Sequence, residues 1–398
     1  MRISIIDGFR GFFLFFMMVI HLNVELKTIL GRLNHHYFGF VEDAQGFVFI
    51  SGFVVGLVYT SKYLKSSYSD LKQAIWSRIY TIWTHQAGLV LIFLSSAVIL
   101  SFFNLYPSIL SHYANEPIFF TLASLGLVGA SKHMGILPMY IYFLIATPLV
   151  LKAFTKGYAP AILVLSVFLW TVGQTGILDW MSDTAHDSFA ERGIIIDFGI
   201  FFNILSWQTI FFGGLWLGYL SCRKKLSLEF LKQPGYTLAA FFAVMLFIYF
   251  GLLDRAVHWT WVSESFSQSF KAQEVRADFS TVHVINFATD LFLMTWLIYA
   301  GRDSKIKFFE ILSSWLQWLF TRRALVFLGQ HSLHVFSFHL LIVYLVGVIF
   351  DSGPPDEITG SIVLVLGVAS LYIPAWYNAR NIRKRKARES VMSRPSLG

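Results

Sequence analysis

Two residues at the start of the chain carry side chains whose chemistry does not belong in their surroundings. Arg10 and His21 both sit in the apolar run IDGFRGFFLFFMMVIHL. In a helix, eleven residues complete three turns plus about 20°, so the guanidinium and the imidazole share one face about 16 Å apart along the axis. Leu14 and Met17 fall between them on that stripe, and Glu25 follows His21 one turn later. Ionisable groups inside an apolar span are costly and mark a path or a site. An imidazole held in one tautomer by a carboxylate is a general base. Glu25 at i+4, or Glu42 and Asp43 at the start of the next apolar segment, are the carboxylates in reach by sequence. Arg10 either pairs with Asp7 and snorkels to the interface or meets an anionic ligand.

Further polar groups interrupt other apolar runs. Ser51 lies beside the pair Gly52/Gly56, a spacing that suits close helix packing. His283, Asn286 and Asp290 form a stripe at i, i+3 and i+7. His331, His334 and His339 recur in LGQHSLHVFSFHLLIVY. No third ligand is tied to these histidines, so a metal site is not expected, and His339 reads as a wall of the same cavity as His21. Lys72, Arg78 and His85 suit either an interface anchor or contacts to phosphates. Gln208, beside Asn203 and Trp207, is polar enough to line a cavity. Asn286, Ser51 and Gln208 are the candidate donors to a developing oxyanion.

The elements that must position these groups follow from composition. The 398 residues are 56% hydrophobic and only 14% charged, far below the one-quarter charged content of soluble domains. Long unbroken apolar runs exclude a barrel, so the fold class is all-α, a polytopic transmembrane helical bundle. Windows of span length fall at about 8–26, 44–62, 76–103, 134–152, 159–177, 199–220, 237–254, 283–300, 325–350 and 360–378. The run 117–130 is too short and reads as a re-entrant or interfacial piece. With ten spans and both termini cytoplasmic, most of the 31 basic residues lie inside, leaving Lys27, Arg32, Lys132, Arg192, Arg255, Lys271 and Arg276 outside. The net charge of +8 then reflects basic inner loops, and nucleic acid is not expected as a partner. Residues 1–378 form the membrane domain and 379–398 a basic cytoplasmic tail that can touch anionic lipid. The outer loops 179–197 and 351–357 are acidic, and 255–282 is polar with mixed charge. The single Cys222 excludes an internal disulfide. The first helix is not expected to be a cleavable signal, because it holds Arg10 and His21 and no small-residue cleavage site follows.

Five blocks together, IDGFRGFFLFFMMVIHL, GFVEDAQGFVFISGFVVGLVY, ILPMYIYFLIATPLV, FNILSWQTIFFGGLWLGY and LGQHSLHVFSFHLLIVY, resemble the OpgC family of the membrane-bound acyltransferase-3 group, which modifies osmoregulated periplasmic glucans. That group is marked by an arginine, ten residues and a histidine on the first helix, here Arg10 to His21. The resemblance implies transfer of a succinyl or similar short acyl group from cytosolic acyl-CoA to glucan hydroxyls across the bacterial inner membrane. For that chemistry His21 reads as the base, Glu42, Glu25 or Asp43 as its orienter, and Arg10, Arg78, His85 and Lys72 as contacts on the acyl-CoA side. Asp290, Asn286, His283, His339, Ser51 and Gln208 are then the acceptor-side candidates. Acyl-CoA is a co-substrate, and no cofactor is held permanently. Membrane lipids, and either glucan-synthesis proteins or a second copy of the chain, are the further candidate partners. Direct transfer and an acyl-His21 intermediate are both open. The alternatives are an O-acetyltransferase acting on another surface polysaccharide, and a transporter of glycans or small anions using the same polar path.

Overall fold

The computed structural model describes residues 4–35, 39–131, 133–194, 199, 201–259 and 261–392. Arg2, Lys132, Asp197 and residues 393–398 of the tail lie outside them. The described chain runs through α1 (Ser4–Leu26), α2 (Ile29–Arg32), α3 (Asp43–Lys65), α4 (Tyr68–Ser101), α5 (Ser111–Asn115), α6 (Pro117–Leu125), α7 (Ile136–Thr155), α8 (Ala159–Gly173) and α9 (Ile177–Ala190). It continues through α10 (Ile204–Cys222), α11 (Pro234–His258), α12 (Glu264–Gln273), α13 (Thr281–Tyr299), α14 (Lys307–Phe320), α15 (Arg323–Gln330), α16 (Ser332–Ile349), α17 (Glu357–Ser370) and α18 (Tyr372–Met392). Apart from an isolated bridge between Gly129 and Gly199, the regular elements among the described residues are helical. The all-α expectation therefore stands, as it must where backbone groups have no water to bond.

The span count differs from the ten expected. Eight helices among the described residues are long and apolar enough to cross a membrane, or up to nine if α8 and α9 make one broken span. The window 159–177 yields a helix of only 15 residues. Gly176 takes a left-handed φ of 73°, and the chain bends by 52° into α9. The window 199–220 begins only at Ile204, where Asn203 caps α10 by accepting from the Leu205 and Ser206 N–H groups. Its two Trp, one Gln, three Gly and two Ser lower its apolar content. The acidic segment 179–197, expected outside, is in large part this α9 helix, and the polar segment 255–282 contains α12. In the short run 117–130, α6 has nine residues, about 14 Å of helix, half of a hydrocarbon core.

The chain divides into two units, one formed by Met1–Asn34 with Trp318–Gly398 and the other by His35–Gln317. In the first, α1 packs on α15, α16 and α17. Gly8 and Gly11 admit the backbones of Phe320 and Leu325, and Gly329 admits that of Asp7, so no side chain fits at these crossings. Phe9 stacks on Phe320 with centroids 3.7 Å apart. Thr28 caps α2, and Asp356 caps α17. Residues beyond 378 continue α18 to Met392, a basic stretch that is exposed from Arg380 to Glu389.

In the second unit the closest crossing is α3 on α10. Gly52 and Gly56 face the carbonyls of Phe211 and Leu215, while Gly214 and Gly218 face those of Phe49 and Phe53. The small-residue spacing in α3 thus meets its counterpart in α10. Beside that crossing, the segment before α13 is pinned from several sides. Trp207 Nε1 donates to Ala277 O at 2.9 Å, Trp170 Nε1 to Phe279 O at 3.0 Å and Gln174 Nε2 to Asp278 O at 2.8 Å. Asn203 Nδ2 donates to the Asp278 carboxylate at 2.9 Å. Trp207 and Asn203 are buried, where N–H groups need partners, and the four bonds together fix the backbone that carries Arg276.

Candidate functional site

In the first unit, α1 is an unbroken 23-residue helix with Asp7 in its first turn, where a carboxylate favours the helix dipole. Its buried stripe includes Leu14, Met17, Met18 and Leu22. Arg10 and His21 are half-buried at the edges of that stripe. Arg10 Nη2 donates to Ser332 Oγ at the first turn of α16. Two turns further along α16, His339 is fully buried. His21 Nδ1 and His339 Nε2 are 2.9 Å apart. Their rings are inclined by 28° with centroids 4.9 Å apart. That nitrogen separation is shorter than a contact between stacked faces, so the imidazoles meet edge to edge through a hydrogen bond. His331, buried at the start of α16, accepts from Asn378 Nδ2 on α18 at 2.9 Å. Glu25 is half-buried on α1, one turn beyond His21.

The second unit holds its own polar cluster. Glu42 caps α3 in a capping box with Gln45, and its carboxylate meets Arg276 Nη1 at 2.9 Å. Arg276 also approaches Glu274 at 3.6 Å. Glu274 in turn lies 3.3 Å from His283 Nε2, while His283 Nδ1 and Ser280 Oγ are 3.0 Å apart. Asp43 pairs with His35 at 3.3 Å. Burial pushes the Glu274 carboxyl up. The hydrogen bond from His283 and the charges of Arg276, His283 and His258 outweigh that push, and it ends below its ordinary range.

Asn286 joins two parts of the unit. Its Oδ1 accepts from the Phe40 N–H at 2.7 Å, and its Nδ2 donates to Asp290 Oδ2 at 3.1 Å. The other Asp290 oxygen is buried with no hydrogen-bond partner among the described residues, so an acceptor remains for a hydroxyl group. Gln208 is used differently. Its Nε2 donates to the Ser166 and Leu205 carbonyls at 2.7 and 3.0 Å, and its Oε1 accepts from Ser166 Oγ at 2.7 Å. That geometry makes Gln208 a clamp between α8 and α10, with its donors already engaged. Ser51 is buried next to the α3–α10 crossing. Lys72 lies over the Tyr68 ring at 5.3 Å, and Arg78 and His85 are half-exposed on α4.

The structure therefore joins His21 with His339, and Arg10 with Ser332. It joins His283, through Glu274 and Arg276, with Glu42. Glu274, Ser280, His35 and Ser332 are members that sequence reasoning missed. His35, Glu274 and Ser280 lie in the connections between apolar windows, and Ser332 lies inside the window 325–350, so none stands in a pattern with the groups it meets. Only Arg276 had drawn notice, as an outer-loop cation.

An all-α set of apolar helices, with imidazoles and carboxylates buried among them and a half-buried arginine, defines a polytopic membrane protein. Over residues 2–383 the sequence matches the family described as OpgC protein, and the chain belongs to that family. Membership supports, at family level, an OpgC-type glucan acyltransferase of the membrane. No curated protein and no solved structure matches the chain.

Proposed function

We propose that the protein is an O-acyltransferase of the bacterial inner membrane, with both chain ends on the cytoplasmic side. It moves a succinyl or similar short acyl group from cytosolic acyl-CoA to hydroxyls of a periplasmic glucan. The observation that carries this reading is His21, held on α1 against the buried His339, with Arg10 three turns back on the same helix. A thioester is already activated, so the enzyme has to place it and remove a proton from the sugar hydroxyl. In that step the sugar oxygen forms a bond to the acyl carbon and the carbon–sulfur bond breaks. The hydroxyl proton passes to His21 and then to the departing thiolate, releasing the ester and free CoA. Arg10, with one guanidinium nitrogen on Ser332, supplies fixed positive charge for the anionic donor. Lys72, Arg78 and His85 are the proposed contacts to its phosphates, and the stripe His283, Asn286 and Asp290 the proposed polar lining towards the acceptor. The basic loops support the orientation, because cytoplasmic loops carry the Lys and Arg excess.

The test is direct transfer. Protein in lipid nanodiscs receives labelled succinyl-CoA or acetyl-CoA and a β-glucan, and base-labile label on the glucan is counted. Wild type labels the glucan, and His21→Ala lowers the rate by about 100-fold or more, the usual worth of a general base. Equal labelling by both proteins removes His21 from the chemistry. Transport into vesicles without ester formation from any donor replaces the enzyme with a transporter.

A further inference from the structure

The contact between two histidines leaves a question that the base assignment alone does not answer: which nitrogen of His21 carries the proton. We propose that His339 is the positioning residue of His21. Its Nε2 accepts from His21 Nδ1–H and holds His21 in the tautomer whose Nε2 bears the lone pair. The inference rests on the reading of His21 as base.

The argument is one of proton accounting across a single bond. His21 Nδ1 and His339 Nε2 are 2.9 Å apart, a normal length for a nitrogen pair sharing one hydrogen. Two neutral imidazoles can make that bond in either of two ways. If His339 Nε2–H donates, His21 Nδ1 is the acceptor and its Nε2 carries the other proton. His21 is then a donor at its outer nitrogen and cannot take a proton there. If His21 Nδ1–H donates, its Nε2 keeps the lone pair, and His339 carries its proton on Nδ1. Only the second arrangement gives a base.

It also suits the charge that forms. When His21 Nε2 takes the hydroxyl proton, the ring becomes an imidazolium whose Nδ1–H still points at His339 Nε2. A charged donor strengthens that bond. His339 gains no proton and needs none. The role is that of the orienting carboxylate in a triad, performed here by a neutral ring. Packing holds the acceptor in place: His339 is wholly buried with its ring against Phe336 at 5.5 Å, and α16 is fixed to α1 a second time where Arg10 meets Ser332.

Two variants separate an acceptor from mere bulk. His339→Phe keeps a ring and removes the acceptor. His339→Gln places an amide oxygen near the position of Nε2 and restores one. With labelled succinyl-CoA and glucan, His339→Phe is expected to lower kcat by about 100-fold with KM within about twofold, and His339→Gln to recover most of that loss. The second arm does not depend on turnover. In nanodisc samples labelled with 15N-histidine, the His21 signals, assigned by their loss in His21→Gln, should show a protonated Nδ1 and an unprotonated Nε2. His339→Phe should abolish that bias. A His21 protonated at Nε2 in the wild type overturns the proposal whether or not the protein transfers acyl groups. So does a His339→Phe enzyme with wild-type kcat. If wild type makes no ester, the acyltransferase reading fails separately, and the nitrogen spectra still decide the polarity of the pair.

Discussion

Replacing Arg276 by Met tests whether the polar cluster of the second unit is an electrostatic strap. The Arg276 guanidinium stands between Glu42 at 2.9 Å and Glu274 at 3.6 Å, with side-chain exposures of 50%, 19% and 9% respectively. A fully exposed pair contributes about 0.2–1 kcal/mol, while breaking a buried pair costs about 3–5 kcal/mol. With the cation half in solvent, screening places the loss towards the lower range, about 1–2 kcal/mol. That amounts to a 5–30-fold rise in the population of the locally opened state. Amide hydrogen exchange read by mass spectrometry detects it as faster exchange in peptides covering Ser263–Asn286, with the α3–α10 crossing unchanged.

The pH dependence has a defined sign. Glu274 lies below its ordinary 4.5 in the folded protein. Its contribution is therefore present above that value and lost as the pH falls through the depressed folded value. Burial, the largest influence on it, acts upward, and Arg276 is among the charges that oppose burial. In Arg276→Met the folded value rises, so protection, normalised to intrinsic exchange rates, starts to fail at a higher pH than in the wild type. Unchanged exchange across Ser263–Asn286, or an onset that moves to lower pH, refutes the strap.

Two further predictions address packing and orientation. Gly214→Leu drives a side chain into the Phe49 carbonyl and should destabilise the second unit by about 1–3 kcal/mol or more, read as a lower thermal midpoint in detergent. Gly213→Leu, with nothing within 4 Å of its Cβ, should change stability by no more than about 0.5 kcal/mol, and equal effects would dismiss the crossing as the cause. Cys222, half-exposed at the end of α10, should react with an impermeant maleimide in inside-out vesicles and not in intact cells. Ready labelling of intact cells reverses the proposed topology.

What the sequence made legible, and what it hid, follows from the range over which each signal acts. Arg10 and His21 are eleven residues apart on one helix, and the 3.6-residue period alone puts them on one face. Gly52 and Gly56 likewise announce a close crossing, though not that Gly214 and Gly218 answer them from α10. Apolar windows locate the helices well, yet 159–177 breaks at Gly176, because a window average does not register a single residue at positive φ. Glu25, Glu42 and Asp43 are the carboxylates nearest His21 along the chain; Glu42 holds Arg276 and Asp43 holds His35. The ring that meets His21 lies 318 residues away and is itself a histidine, a type that pattern reading assigns to metals or cavity walls before it considers an acceptor. A half-buried base needs its tautomer fixed, and a neutral acceptor does this without adding a second desolvated ion.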